Sequence, residues 1–509
     1  MTPSPKWSRR KFSWPDYPFA ARCPKTGRII GLPYLGKHAR LLFPVIGILA
    51  LAWFLLRVIP KPSRIAYPCQ RAALGLGGAF LAYAAMILGS FSLVQNLRRN
   101  ITGSLIAAII AVACFWGGWA AIISDTLHAA PAAVAAPPEG ANHPMGTARG
   151  VHPGRVVWIQ DFDATRWDGE QGLWWDDANT DPQIVEAMVS QALRRLTGAD
   201  TDAGAWEALF RYHNQTRGRG ARGYQKDETI TIKFNFNTDG APGEREAKKG
   251  HASTQVVYAL VKQLIEEAGV PGANITLTDP SRHIGNPIYE KIRANPHPEF
   301  QHVVFAGKAD RDVPQYIYAE PDMNCPVYFD MPDGTTQTYF FPKVFSQATY
   351  MINAGQFRPH SIFGLTLAGK NHFGSVFDGK GYQPSLLHAF DLLNQAHPNR
   401  HGMPHCHPSL LGHQATGGKT FLYLLDGLYT SHTQTEDIVR WSTLGNEWFS
   451  SLLLSQDPVA IDSVGYDFVM SEPNLTRDNP CFNGHVDSYL HEAALAGQPP
   501  SGAVYDPEK

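Results

Sequence analysis

Apolar positions along this chain fall into two regimes. After a basic head come three long apolar runs, about Leu41–Ile59, Ala72–Gln95 and Ile101–Ser124. A bilayer core of roughly 30 Å needs about 20 helical residues. The second and third runs reach that length without a charge and predict transmembrane helices. The first contains Pro44 and Arg57; three spans are expected, with two spans as the other arrangement. From Arg155 onward, short β-branched runs alternate with helical periods. Strands are predicted over Arg155–Gln160, Thr229–Phe236, Asn274–Thr278, Val303–Phe305, Tyr350–Asn353 and Thr420–Leu425. Helices are predicted over Asp181–Leu196, Ala203–His213, Thr254–Ala268, Asp457–Met470, and near Pro287–Arg293 and Ser385–Gln395. In Thr254–Ala268, for example, Val256, Val257, Leu260, Val261, Leu264 and Ile265 share one helical face. The segment from about 306 to 345 is irregular and reads as an inserted lobe or a β-rich excursion.

Strand–helix alternation predicts an α/β fold, a largely parallel sheet with flanking helices, here preceded by an N-terminal helical membrane anchor. The implied organisation is a basic cytoplasmic head (1–40), a membrane region (41–124), an Ala/Pro-rich linker (125–150) and an α/β globular domain (151–509).

Charge sharpens this division. Residues 1–40 carry nine Lys/Arg against Asp16 alone, and residues 41–124 carry six basic residues and no acid. The remaining 29 basic and 44 acidic residues leave the globular part at a net −15. Basic flanks stay on the cytoplasmic side, so three spans place the acidic domain in the periplasm of a bacterial inner membrane. Arg57, Lys61, Arg64 and Arg71 then fall outside, against that rule. An acidic domain argues against nucleic acid, which needs a basic surface. The expected partners are the lipid bilayer, a protein partner in a membrane complex and a small-molecule ligand. Six cysteines are too few for a disulfide framework, and none forms Cys-x-x-Cys, which argues against a locally held iron–sulfur cluster.

The candidate chemistry concentrates in His360–Gly374. His360, Lys370 and His372 lie in a run with Gly364, Gly369 and Gly374 and almost no charge. Glycines let the backbone approach a ligand, and amines and imidazoles move protons. A glycine-rich turn whose lysine binds carbonyls or Asp378 is the structural alternative. Open α/β sheets bind ligands beyond the carboxyl ends of their strands, where Lys233, Asn235 and Asn237 also fall, as does Asp279-Pro280-Ser281-Arg282. Arg282 suits a carboxylate or phosphate, or else closes a turn with Asp279. Asp457 before Pro458 is a natural N-cap, and Asp462 is placed to orient a pocket histidine or lysine. Histidines at 388, 397, 401, 405, 407 and 413 form a second concentration. His405, His407 and His413 offer donors for a transition metal such as nickel or zinc, or form a solvated loop. Trp174-Trp175-Asp176-Asp177 is an aromatic–acidic patch suited to a sugar or cation, and Asp181 is suited to cap the helix after it.

Four motifs occur in one order: Lys233-Phe234-Asn235-Phe236-Asn237, Asp279-Pro280-Ser281-Arg282, Ala368-Gly369-Lys370-Asn371-His372-Phe373-Gly374-Ser375 and Ser455-Gln456-Asp457-Pro458-Val459-Ala460-Ile461-Asp462. Together they resemble the domain of unknown function 362 family over about 150–475. The resemblance implies the fold and a shared site but no reaction, and the ferredoxin-type cysteines of some members are missing here. A second resemblance is to nickel-pincer lactate racemases, through Asp279-x-x-Arg282 and His360 followed by Gly364 and Lys370. It implies a cofactor linked covalently to Lys370, His360 as acid/base or metal ligand, and Asp279 and Arg282 in the pocket. Ala368 stands where that family has glycine and Gly369 where it has arginine, and its other catalytic histidine is not matched. The expected function is an enzyme on a small anionic metabolite, isomerase-like or redox-like, with a metal or a lysine-linked cofactor. The alternative is a non-catalytic ligand- or metal-binding or assembly subunit of a membrane complex.

Overall fold

Along the strand Thr420–Gly427, side chains from Leu422 to Leu425 go alternately to two cores. Phe421, Leu422 and Leu424 pack into one hydrophobic cluster, Tyr423 and Leu425 into another. Ser451–Ser455 does the same, with Leu452 and Leu454 on one side and Leu453 on the other. A strand buried on both faces reads as a near-continuous apolar run, and both segments do along their centres, Phe421–Leu425 and Leu452–Leu454. They are central strands of a sheet covered by helices on its two faces.

The computed structural model describes residues 21–22, 29–31, 52–53, 146–236, 248–308, 316–330, 335–382, 387, 406–479, 482, 486–487, 489–490 and 493. The chain divides into two compact units, Met1–Ala130 and Pro131–Lys509. In the first, Ala21–Arg22 pairs antiparallel with Ile29–Gly31. Of the three expected spans only Ala52 and Trp53 are described, both helical. No described helix is long and apolar enough to cross a membrane. The expected helix near Ser385–Gln395, apart from Leu387, and His388, His397, His401 and His405 also lie outside the described residues.

In the second unit the elements are β1 (Val156–Gln160), α1 (Pro182–Thr197), α2 (Asp202–Thr216), β2 (Ile230–Lys233), α3 (Thr254–Lys262), β3 (Ile275–Asp279), α4 (Asn286–Arg293), β4 (Val304–Gly307) and β5 (Ile317–Tyr318). They continue with β6 (Pro321–Asp330), β7 (Thr336–Pro342), β8 (Tyr350–Gln356), β9 (Pro359–His360), β10 (Gly364–Leu365), α5 (Leu367–Lys370), α6 (Cys406–Gly412), β11 (Thr420–Gly427), β12 (Ser451–Ser455) and α7 (Pro458–Met470). The eight-stranded sheet runs β1-β12-β11-β8-β2-β3-β4-β5. The six strands from β11 to β5 pair in parallel, and β12 runs against both of its neighbours. The mixed α/β architecture and largely parallel sheet agree with the sequence reading. The irregular stretch proves to be the antiparallel hairpin β6–β7, with its own core around Val327, Phe329, Phe341 and Phe345.

The helices form where local chemistry asks for them. Asp181 accepts the N–H groups of Gln183 and Ile184 (3.0 and 3.3 Å), Pro182 fills the first turn, and left-handed Gly198 closes α1. Between these caps Val185, Met188, Val189, Ala192, Leu193 and Leu196 are buried. The larger of them contribute roughly 1.5–3 kcal/mol each by leaving water. Asp457 caps α7 in the same way, on Val459 and Ala460 (both 3.0 Å). Trp174 and Trp175 are buried against His251, and Trp174 also against Tyr429. That aromatic pair is core, closed to a sugar.

After β2, the chain adds β3 on one side; β8 later adds on the other. The strand order therefore reverses between β2 and β8, and the two connections leave in opposite directions. A crevice is expected there, beyond the strands' carboxyl ends.

Candidate functional site

Lys233 is the last residue of β2 and is only 1 % exposed. Its ammonium lies 3.3 Å from Asp279 Oδ1 at the end of β3 and donates to Asn371 Oδ1 (3.2 Å) and the Phe234 carbonyl (2.5 Å). Asp279 Oδ2 accepts the Phe236 N–H at 3.0 Å. Asn371 in turn donates to the Lys233 carbonyl (3.0 Å) and to Asn353 Oδ1 (2.8 Å) on β8. Asn353 donates to the Ala368 carbonyl at 3.1 Å. One buried network thus ties β2, β3 and β8 to α5. Burial holds Lys233 below the usual amine range; Asp279 opposes this and Arg282 adds to it.

Arg358, two residues past β8, is 1 % exposed. It donates to the Gly250 carbonyl and, at 3.2 Å, to Asn235 Oδ1. Burial, reinforced by the guanidinium of Arg282, pushes it down to about 9. Lys370 ends α5 with its ammonium 5.1 Å from the centre of the Phe363 ring and 4.8 Å from that of Phe373. Two aromatic faces attract a cation. His360 Nδ1 accepts the N–H groups of Ile362 (3.1 Å) and Phe363 (3.3 Å). That fixes the tautomer: the ring proton sits on Nε2.

Lys233, Arg282, Arg358, Lys370 and His360, with Asn235, Ser281, Asp279 and Gly374, line one hollow of about 60 Å³. Ser281 is buried and its hydroxyl makes no hydrogen bond among the described residues. Gly374 is required beside it, because a β-carbon there would stand 2.5 Å from Ser281 Oγ and 3.1 Å from Asp279 Oδ1.

The remaining sequence candidates support this hollow from behind. Asp462 accepts the N–H groups of Ala368 (2.8 Å) and Gly369 (2.6 Å) and the hydroxyl of Tyr489 (2.8 Å). It orients Lys370 through the backbone of α5. Burial pushes Asp462 up to about 7 against these three donors. At Gly369 a β-carbon would stand 2.8 Å from both Asp462 Oδ2 and the Tyr489 ring. Gly364 has a φ of +81°, which closes the β9–β10 turn. His372 is buried edge-on to Phe345 and is not among the described residues lining the hollow. Burial, and secondly Lys233, holds it neutral, well below the usual imidazole range.

The two described members of the histidine concentration, His407 and His413, do not converge. His407 stacks on Tyr489 at 4.3 Å, whereas His413 accepts from Ala415 N and lies 3.0 Å from the Pro326 carbonyl. No group of three or more metal-ligating side chains occurs among the described residues. A water needs about 10–15 Å³ of such space, so the hollow of about 60 Å³ has room for a few waters or a small ion. A pincer cofactor, an organic ring carrying a metal ion, does not fit it.

Arg358, Ser281, Asn371 and Tyr489 were not singled out from the sequence as site residues. Arg358 carried a usable signal, being a cation five residues beyond the predicted strand Tyr350–Asn353, whose end points at the crevice.

Residues 230–467 match the model of a family described as a domain of unknown function, DUF362. The match runs from β2 into α7 and contains every residue named in the hollow. No curated protein matches the chain.

Proposed function

We propose that this chain, which belongs to the domain of unknown function 362 family, is an enzyme acting on a small anionic metabolite at the crevice between β2 and β8. One observation carries the reading. Four cationic side chains, Lys233, Arg282, Arg358 and Lys370, meet at one hollow whose lining has a single carboxylate, Asp279. Asp279 is engaged by Lys233, and the excess of positive over negative side chains at the hollow suits an anion. Arg282 and Lys370 hold the anion, with the Ser281 hydroxyl as a neutral donor. His360 presents its Nε2–H to an oxygen on which negative charge develops, acting as a donor rather than a base. A small substrate follows from the space available.

The basic head and the three apolar runs support an inner-membrane anchor with the domain in the periplasm. Alkaline phosphatase fused after Lys509 would be active in that arrangement and inactive if the domain faces the cytoplasm.

The anion reading is tested by calorimetry of the purified full chain with inorganic phosphate and a panel of two- to four-carbon carboxylates. The expected result is binding of at least one anion, weakened at least ~10-fold, or about 1.4 kcal/mol, in both Arg282→Gln and Lys370→Met. Equal binding by wild type and both variants sinks the reading, as does no binding of any anion. Turnover of a bound anion lost in His360→Phe but not in His360→Gln would identify the Nε2–H donor, since glutamine supplies an N–H.

A further inference from the structure

A second cleft, of about 670 Å³, opens at the opposite end of the sheet. It lies between the last turn of α2, the end of α6, the first residues of β11 and the start of α7. Its charged lining residues are Arg149 and Arg217, both exposed, and no acid is among them. Neither guanidinium has an ion-pair partner among the described residues. The Arg217 guanidinium donates to the Gly417 carbonyl, at 3.0 Å. Asp457, beside the cleft, spends its carboxylate on the backbone N–H groups of Arg149 (2.9 Å), Val459 and Ala460. Burial lowers Arg217, and the nearby charge of Arg149 lowers it further. His213 is pushed down to about 3 by burial and then by Arg217 and Arg219, so its ring is neutral at pH 7. The cleft therefore holds two like charges facing the same space, with no acid among its described lining residues.

We infer that this cleft binds a phosphorylated small molecule of about nucleotide size, its phosphate bridging Arg149 and Arg217. A guanidinium pairs with phosphate oxygens through two parallel hydrogen bonds, and a dianion relieves the repulsion between two of them. Thr147 adds a hydroxyl donor to the lining, whereas the Thr216 hydroxyl donates to the His213 carbonyl at 2.9 Å. The space falls in the range of roughly 300–1,000 Å³ typical of small-molecule sites, far more than a lone phosphate fills. Both arginines lie outside residues 230–467, so the positive charge of this site comes from the part of the chain that precedes the family match, while much of its wall lies within that match. It is separate from the anion hollow, and either can fail without the other.

The test is calorimetry of the full chain with AMP, glucose 6-phosphate and inorganic phosphate as probes, on wild type, the double variant Arg149→Gln/Arg217→Gln, and Arg282→Gln. The expected result is that a phosphate ester binds more tightly than inorganic phosphate. Its affinity should fall at least ~10-fold in the double variant and stay unchanged in Arg282→Gln. Both substituted residues are exposed, so an unchanged melting temperature checks that the double variant folds. The inference is overturned if neither ester binds, if inorganic phosphate binds as tightly as the esters, if the double variant binds like wild type, or if Arg282→Gln removes the binding instead.

Discussion

The two ends of the sheet hold their positive charge in opposite ways. At the carboxyl end Lys233 and Arg358 are each 1 % exposed and tied to carbonyls, amides and Asp279 from neighbouring elements. At the amino end Arg149 and Arg217 are exposed and almost unpartnered. The first arrangement is rigid and makes charge part of the fold, whereas the second leaves charge free for a ligand. Removing a cation should therefore cost stability at one end and only binding at the other.

The largest effect is expected at Lys233. Lys233→Met leaves Asp279 buried without its cation, which costs about 3–5 kcal/mol. A denaturant midpoint close to wild type would show that Asp279 finds another partner. Next comes Asp462→Ala, which strands the N–H groups of Ala368 and Gly369 and the Tyr489 hydroxyl. At about 1–3 kcal/mol for a buried group left unpaired, a loss of about 3 kcal/mol is expected, together with weaker anion binding as α5 loosens.

The ends should also differ in the sign of their pH dependence. Asp462 keeps its proton up to about 7 when folded, while an unfolded aspartate loses it near pH 4. Between these values the folded state binds more protons, so this residue's contribution to stability falls as pH rises from 4 to 7. His213 stays neutral down to about 3 when folded, while an unfolded histidine gains its proton near pH 6.5. Its contribution falls as pH drops from 6.5 towards 3. Each slope is at most about 1.4 kcal/mol per pH unit. Stability measured against pH should lose the first slope in Asp462→Asn and the second in His213→Phe; slopes that survive these changes would contradict the assignments. The smallest effect is expected for Arg217→Gln, within about 0.5 kcal/mol of wild type. A larger loss would mean that the amino end is braced like the other.

Much of the frame was legible because its signals were local. The caps at Asp181 and Asp457 and the apolar face of α3 each declare a helix within a few residues. Lys233, Asp279 and Arg282 could be placed because they end strands or follow them directly. Other features depend on partners far along the chain. Ser451–Ser455 escaped notice because an unbroken leucine run has no alternation to distinguish a doubly buried strand from a helix. Asp462 was read as a side-chain orienter; that it grips the backbone of α5, over 90 positions away in sequence, is decided by packing alone. The histidines share a stretch of sequence, yet His407 turns to Tyr489 and His413 to Pro326. Proximity in sequence set no common direction for them.

The single reversed strand has a consequence for how the domain is made. β1 belongs to the sheet only through β12, whose residues follow some 300 positions later. During synthesis the opening strand therefore has no hydrogen-bonding neighbour until nearly the whole polypeptide has left the ribosome. Contacts of such long range slow folding and leave apolar edges exposed in the interval. A nascent chain halted before residue 451 should thus be recognised by chaperones as unfinished, however well the strands from β2 to β5 have already assembled.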